Sequence, residues 1–216
     1  ERFGADATRM YVLFAAPPEK DFDWQDHGVE GIHRFLARVW RLATAPAPSA
    51  HPGPTDQKLL RKVHQTMQRI TRDFEGRWHF NTSIAGLMEL VNEHYACEGA
   101  LSPAAAAESI RLLLLMLAPF APFMAQELWT RRGESGAIAL APWPQADAEL
   151  AREEALEVVV QVNGKLRARI AVPPGTDAAA LEALARSHEK IVPWLAGKTP
   201  RQVIAVPGRL VNFVLP

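Results

Sequence analysis

Leu156-Glu157-Val158-Val159-Val160-Gln161-Val162-Asn163-Gly164-Lys165-Leu166-Arg167-Ala168-Arg169-Ile170-Ala171-Val172 is the stretch at which the character of the chain changes. Two runs rich in β-branched residues flank Asn163-Gly164, a pair that accepts the left-handed backbone of a tight hairpin turn. Downstream, Asp177 can cap a short helix carrying Leu181, Leu184 and Ala185. Residues 202–206 and 209–214 flank Pro207-Gly208 and predict a second hairpin. Residues 153–216 are therefore expected to form a small α+β domain with two hairpins and a short helix.

Upstream of this stretch the period is helical. Residues 26–43 repeat Val29, Ile32, Phe35, Leu36, Val39 and Leu42 every three or four positions. Residues 56–74 do the same with Leu60, Val63, Met67, Ile70 and Phe74, the seam of a helix in a bundle. A first helix near Asp6 carries Met10, Leu13 and Phe14 and is stopped by Pro17 and Pro18. A fourth is expected to start with Asn81 as its cap, to bury Ile84, Leu87, Met88, Val91 and Tyr95, and to close at Gly99. Ser102 and Pro103 open a fifth, apolar nearly all round over residues 110–117 and hence central. Phe123, Leu128 and Trp129 mark a last short helix, and residues 133–148 read as an irregular strap. The Pro-rich segment 45–54 lacks a period and reads as a surface loop. The expected architecture is mainly α: a helical bundle over residues 25–152, followed by the small α+β domain.

Composition narrows the function classes. The 216 residues carry 24 basic and 24 acidic side chains, so the surface as a whole is not that of a generic polyanion binder. The cations are unevenly placed, however: residues 158–216 hold eight basic against three acidic residues. The longest apolar run, residues 112–124, is broken by Pro119 and Pro122 and falls short of the roughly 20 residues a membrane-spanning helix needs. No membrane association is expected. A single cysteine, Cys97, forms no intrachain disulfide, which fits a reducing cytoplasm, and no secretion signal is expected.

Paired catalytic acids, a nucleophile with its base, and a phosphate-binding glycine loop do not stand out, and the seven histidines lack zinc-ligand spacing. Gly28 and Gly31 lie near a helix start but follow no strand, so an anion-binding turn there is weakly supported. The expectation is no catalytic residue, no metal and no cofactor within these residues. Cations, by contrast, form stripes. With Lys58 as origin, Lys62, Gln65, Arg69 and Arg72 fall within about 40° of it on a helical wheel. Arg34, Arg38 and Arg41 make a similar stripe on the second helix. On the second strand of the hairpin, alternation places Lys165, Arg167 and Arg169 on one face. A two-residue turn would set them across from Val162, Val160 and Val158. Lys198, Arg201 and Arg209 add to the charge of the tail. Such groups suit phosphate contacts, which are salt-dependent and insensitive to sequence. The same stripes equally describe solvated bundle faces, and the hairpin could instead pack on a neighbouring domain.

Several strings resemble a known family. Phe14-Ala15-Ala16-Pro17-Pro18-Glu19-Lys20-Asp21-Phe22-Asp23-Trp24, Gly28-Val29-Glu30-Gly31, His33-Arg34-Phe35-Leu36 and Arg38-Val39-Trp40 look like leucyl-tRNA synthetase of the bacterial type. Ala118-Pro119-Phe120-Ala121-Pro122-Phe123-Met124-Ala125-Gln126-Glu127-Leu128-Trp129 is similar to a segment shared with the isoleucine and valine enzymes. Val160-Gln161-Val162-Asn163-Gly164-Lys165-Leu166-Arg167-Ala168 resembles the leucine enzyme's C-terminal domain and is the more specific marker. The resemblance implies a C-terminal fragment. Residues 1–24 would end the stem-contact region that follows the lysine-rich signature loop. Residues 25–152 would be the anticodon-binding-type bundle, and residues 153–216 the C-terminal tRNA-binding domain reaching the outer corner of the tRNA. It further implies tRNA(Leu) as partner, together with upstream catalytic and editing domains of the same chain, in a cytoplasmic monomer. ATP and Mg would serve the parent ligase through leucyl-adenylate. No adenylate-forming motif maps onto these residues, so no catalytic role is carried over. The alternative is a protein-interaction or intramolecular docking module without RNA contact.

Overall fold

The computed structural model describes residues 3–16, 19–21, 23–76, 78–152, 156–196 and 198–216. Two compact units are present, Glu1–Arg152 and Glu153–Pro216, each with its own buried core.

The first unit is a bundle of α1 (Gly4–Ala15), α2 (Asp26–Thr44), α3 (Pro54–Glu75), α4 (Phe80–Ala96), α5 (Pro103–Leu117) and α6 (Pro122–Arg131). Helix α5 is its axis: Leu112, Leu113, Leu114, Leu115, Met116 and Leu117 are all buried. Pro103 opens that helix, and the Ser102 hydroxyl accepts the Ala105 N–H at 3.3 Å, as a cap at this position should. Helix α1 joins the same core through Ala7, Met10 and Tyr11, with Leu13 and Phe14 half-buried against it. The two prolines expected to stop it, Pro17 and Pro18, lie outside the described residues.

Gly28 has a packing role in place of the anion-binding turn considered above. A Cβ there would stand 2.3 Å from the Tyr11 ring, so its absence lets α1 and α2 approach. The Tyr11 hydroxyl also accepts the Gln25 N–H at 3.0 Å, at the entrance to α2.

Three details depart from the helical pattern. On α3, Leu59 is fully buried while Leu60 is only half-buried. Contact with α4 and α5 rotates the covered arc toward Leu59 and Thr66. Helix α4 begins with His79 at its cap, and Asn81 lies inside the first turn. Trp78 adopts φ 55° and donates its N–H to the Asp73 carbonyl at 2.9 Å, a tight turn that starts the helix early. The hydroxyls of Thr82 and Ser83 then donate to Asp73 Oδ2 at 2.7 and 2.9 Å. Met88 and Tyr95 are half-buried, whereas Leu90 and His94 belong to the buried set.

Beyond α6 the strap is ordered by specific bonds, including a 3-10 turn at Ile138–Leu140. Gln126 Oε1 accepts the Ile138 N–H at 2.8 Å, and Trp143 Nε1 donates to Thr71 Oγ1 at 2.9 Å. His64 Nδ1 accepts the Asp147 N–H at 3.1 Å, and Gln65 Nε2 donates to the Ala151 carbonyl at 3.0 Å. Three of these bonds satisfy buried or half-buried groups of α3, on Thr71, His64 and Gln65, and the fourth satisfies Gln126 of α6.

The second unit holds β1 (Leu156–Val162), β2 (Lys165–Val172), α7 (Ala178–Ser187), α8 (Val192–Leu195), β3 (Gln202–Val206) and β4 (Leu210–Val214). The two hairpins join into one sheet of order β2-β1-β4-β3, with β1 and β4 parallel. Asn163 and Gly164 have φ 50° and 74°, the left-handed pair of a two-residue turn. The turn is fastened to β4: Asn163 Oδ1 accepts the Leu215 N–H at 2.7 Å, and Asn212 Oδ1 accepts the Gly164 N–H at 3.1 Å. Asp177 caps α7 by accepting the Ala180 N–H at 2.8 Å. Leu181 and Ala185 are buried against the sheet, but Leu184 is 46% exposed, and α8 is an element the apolar pattern did not announce.

The hairpin register corrects the expected cationic face. Val162 pairs with Lys165 and Gln161 with Leu166, but Val160 pairs with Ala168 and Val159 with Arg169. Arg167 is the surplus residue of a β-bulge, which breaks the period-two alternation. Arg169 therefore lies opposite Val159 on the outer side of the sheet, while Ala168, Ile170 and Val172 enter the core.

Candidate nucleic-acid interface

In the bundle, the α3 stripe lies beside acidic residues of α4. Lys58 Nζ stands 2.7 Å from Glu93 Oε1, and Lys62 Nζ stands 2.8 Å from Glu89 Oε2. Arg69 Nη1 is 3.8 Å from Glu89 Oε1. The Glu93 carboxylate, through its hydrogen bond and charge, raises the Lys58 pKa; the Lys62 hydrogen bond lowers that of Glu89. Arg72 is exposed, with Nε turned back to the Gln68 carbonyl of its own helix at 3.2 Å.

On α2, Arg38 is taken up by α4. Its Nη1 donates to Asn92 Oδ1 at 2.7 Å and its Cζ lies 4.8 Å from the Tyr95 ring centroid. Arg34 and Arg41 remain exposed, with no acidic partner among the described residues. Helix α4 thus engages both stripes, through Glu89 and Glu93 on one side and Asn92 and Tyr95 on the other.

In the second unit the cations divide differently. Arg169 Nη1 pairs with Glu157 Oε1 at 2.5 Å, and Arg186 pairs with Glu182 at 2.7 Å. Arg167 is half-buried, and its Cζ lies 3.7 Å from the centroid of the Trp194 ring. Lys165, Lys198, Arg201 and Arg209 are exposed, without acidic partners among the described residues. Trp194 went unnoticed in the sequence. The available signal was that residues 158–216 contain only two aromatic side chains, Trp194 and Phe213.

The outer side of the sheet is open and partly apolar: Ile204 is 40% and Val206 38% exposed, beside Val159, Leu210 and Val214.

Two further reactive groups, His94 and Cys97, are buried. His94 Nε2 has no hydrogen-bond partner among the described residues, and burial lowers the pKa of His94. The Cys97 thiol is buried too, and its pKa is raised by that burial and by the Glu93 carboxylate. Among the described residues, no group of three or more His, Cys, Asp or Glu could hold a metal ion. No helix among them is long and apolar enough to cross a membrane.

Comparison with known proteins gives this arrangement a context. The chain is 50% identical over 216 residues to a leucine–tRNA ligase of Solibacter usitatus, all of this chain matching 27% of that protein. It is 43% identical over 227 residues to a leucine–tRNA ligase of Citrifermentans bemidjiense, again over its whole length and 28% of the relative. Among solved structures it is similar to the ternary complex of Agrobacterium radiobacter K84 agnB2 LeuRS with tRNA and LeuAMS. That match has TM-score 0.79 and 31% identity, covering 100% of this chain and 29% of the other. The chain thus spans under a third of the length of these relatives. The family profile described as the anticodon-binding domain of tRNA ligase matches residues 56–183, from the first turn of α3 through the β1–β2 hairpin and into α7. With more than half of its residues inside that match, the chain belongs to the family of anticodon-binding domains of tRNA ligases.

Proposed function

We propose that the chain binds tRNA(Leu) as part of a cytoplasmic, monomeric leucine–tRNA ligase, positioning it for aminoacylation carried out by upstream domains. ATP and Mg act in those domains; none of the residues described here forms the adenylate. Upstream catalytic and editing domains are the intramolecular partners. The observation that carries this reading is the match over the whole chain to leucine–tRNA ligases, one of them solved with tRNA. The exposed cations of the second unit supply its chemistry. Lys165, Lys198, Arg201 and Arg209 are free to meet phosphates, whereas Lys58 and Lys62 would first have to leave Glu93 and Glu89.

Contacts of this kind fix position and carry no base sequence. A salt titration of tRNA binding by the 216-residue chain tests the reading. Four phosphate contacts would give a log–log slope of about −3. Absence of binding at low salt would refute it. That outcome would favour the second reading, docking on a protein surface, for which the open apolar side of the sheet at Ile204 and Val206 speaks.

A further inference from the structure

The bulge in β2 has a chemical product. In a regular strand Arg167 would sit between its neighbours in the alternating pattern. As the surplus residue it turns to α8, and its guanidinium carbon lies 3.7 Å from the centre of the Trp194 ring. That is well inside the roughly 6 Å reach of a cation–π contact. Trp194 nevertheless remains 40% exposed, while Phe213, the other aromatic side chain of this unit, is fully buried. An indole serving only the core would be covered as Phe213 is.

Arg167 Nε is buried without a hydrogen-bond partner, and no carboxylate pairs with the guanidinium among the described residues. Among the described residues, Trp194 is the partner its guanidinium meets. Lys165 lies two residues before it at the hairpin end. Lys198 follows α8 directly, with its N–H donating to the Leu195 carbonyl at 3.0 Å. Both lysines are exposed, without acidic partners among the described residues.

From this geometry we infer that Trp194, with the Arg167 guanidinium over its ring, is a stacking platform for an RNA nucleobase. Every base has a π face, so a stacking platform of this kind accepts RNA without reading its sequence. The exposed Lys165 and Lys198, two positions from Arg167 and four from Trp194 along the chain, suit phosphates of the same RNA. A held guanidinium lets the indole keep one orientation, which reduces the ordering cost of binding. The inference rests on the tRNA-binding reading and adds to it a contact that salt cannot screen.

The test uses the 216-residue chain and a tRNA(Leu) transcript, comparing wild type with Trp194→Ala, Trp194→Phe and Lys198→Ala. Trp194→Ala should weaken binding about 5- to 100-fold with the slope of affinity against salt unchanged. Trp194→Phe, which keeps a ring against Arg167, should retain most of the affinity. Lys198→Ala should instead flatten the salt slope by nearly one phosphate. Wild-type emission minus that of Trp194→Phe isolates the indole, and it should be quenched when tRNA binds, independently of any folding defect in the alanine variant. Wild-type binding that ignores Trp194→Ala, or an indole signal that tRNA leaves unchanged, overturns the stacking site alone. Failure of the wild type to bind tRNA at low salt overturns both it and the tRNA-binding reading.

Discussion

At the scale of single residues, two positions let the packing be tested directly. Gly28 faces the Tyr11 ring at a distance where a Cβ would stand 2.3 Å from a ring carbon. Tyr11 is buried and its hydroxyl is bonded to the Gln25 N–H, so the ring cannot simply swing aside. Alanine would gain about 1 kcal/mol in helix propensity over glycine. Overpacking costs about 1–3 kcal/mol, and the clash is severe enough to win. Gly28→Ala is expected to lower the stability of the bundle in a urea titration, and an unchanged or raised midpoint would contradict the close approach.

His94 makes the second test. Its pKa is held below the ordinary value near 6.5 by burial, with Glu98 opposing in part. The unfolded chain therefore binds the proton more readily than the folded one. Stability from this residue is present above pH 6.5 and lost as pH falls through the lowered folded value. His94→Leu removes both the titration and the orphaned Nε2. The loss of thermal stability between pH 7 and pH 5 should become shallower in that variant. Asp56, whose pKa is lowered chiefly by the Ser102 N–H, has the same sign but acts below about pH 4, so the two windows separate.

At the scale of elements, α3 and α4 show how a stripe of charge can be misread. Lysines at helical spacing are visible in a linear sequence; the carboxylates that meet them are 27 to 35 positions away, on another helix. Neither member of the Lys62–Glu89 pair is fully buried, with side chains 31% and 52% exposed, so solvent screens the pair and it is worth little. A double-mutant cycle on Lys62→Ala and Glu89→Ala should give a coupling of about 0.2–1 kcal/mol. By the same reasoning Lys62→Ala should reduce tRNA affinity less than Lys198→Ala, measured side by side at one salt concentration. A larger effect at Lys62 would return the bundle stripe to the centre of the interface.

At the scale of the whole molecule, the two units carry different shares of the proposed task. The bundle pairs Lys58 and Lys62 with its own carboxylates, whereas in the α+β unit Lys165, Lys198, Arg201 and Arg209 are exposed without acidic partners among the described residues. In the full-length ligase, replacing Lys165, Arg167 and Arg169 together by alanine should weaken aminoacylation while sparing leucine-dependent ATP–pyrophosphate exchange. The register of β2 assigns the three residues unequal parts: Lys165 exposed at the turn, Arg167 against Trp194, and Arg169 paired with Glu157. Retained tRNA binding in the triple variant would remove the hairpin from the interface.

Much of this was written locally. Helical periods, the Ser102-Pro103 start, the Asp177 cap, the Asn163-Gly164 turn and the change of character near residue 155 each depend on neighbours within a few positions, so the linear sequence by itself determined them. The resemblance to leucyl-tRNA synthetase was legible in the same way, as contiguous strings. Only the tertiary structure decided the joining of the two hairpins by a parallel β1–β4 pair, the extra residue at Arg167, the burial of Leu59 ahead of Leu60, and the partners of each cation. Most of these depend on which surfaces meet, whether across helices or across the strands of one sheet. Strand register and helix rotation are set by which surfaces meet, and alternation within one strand cannot reveal a bulge that the opposite strand imposes.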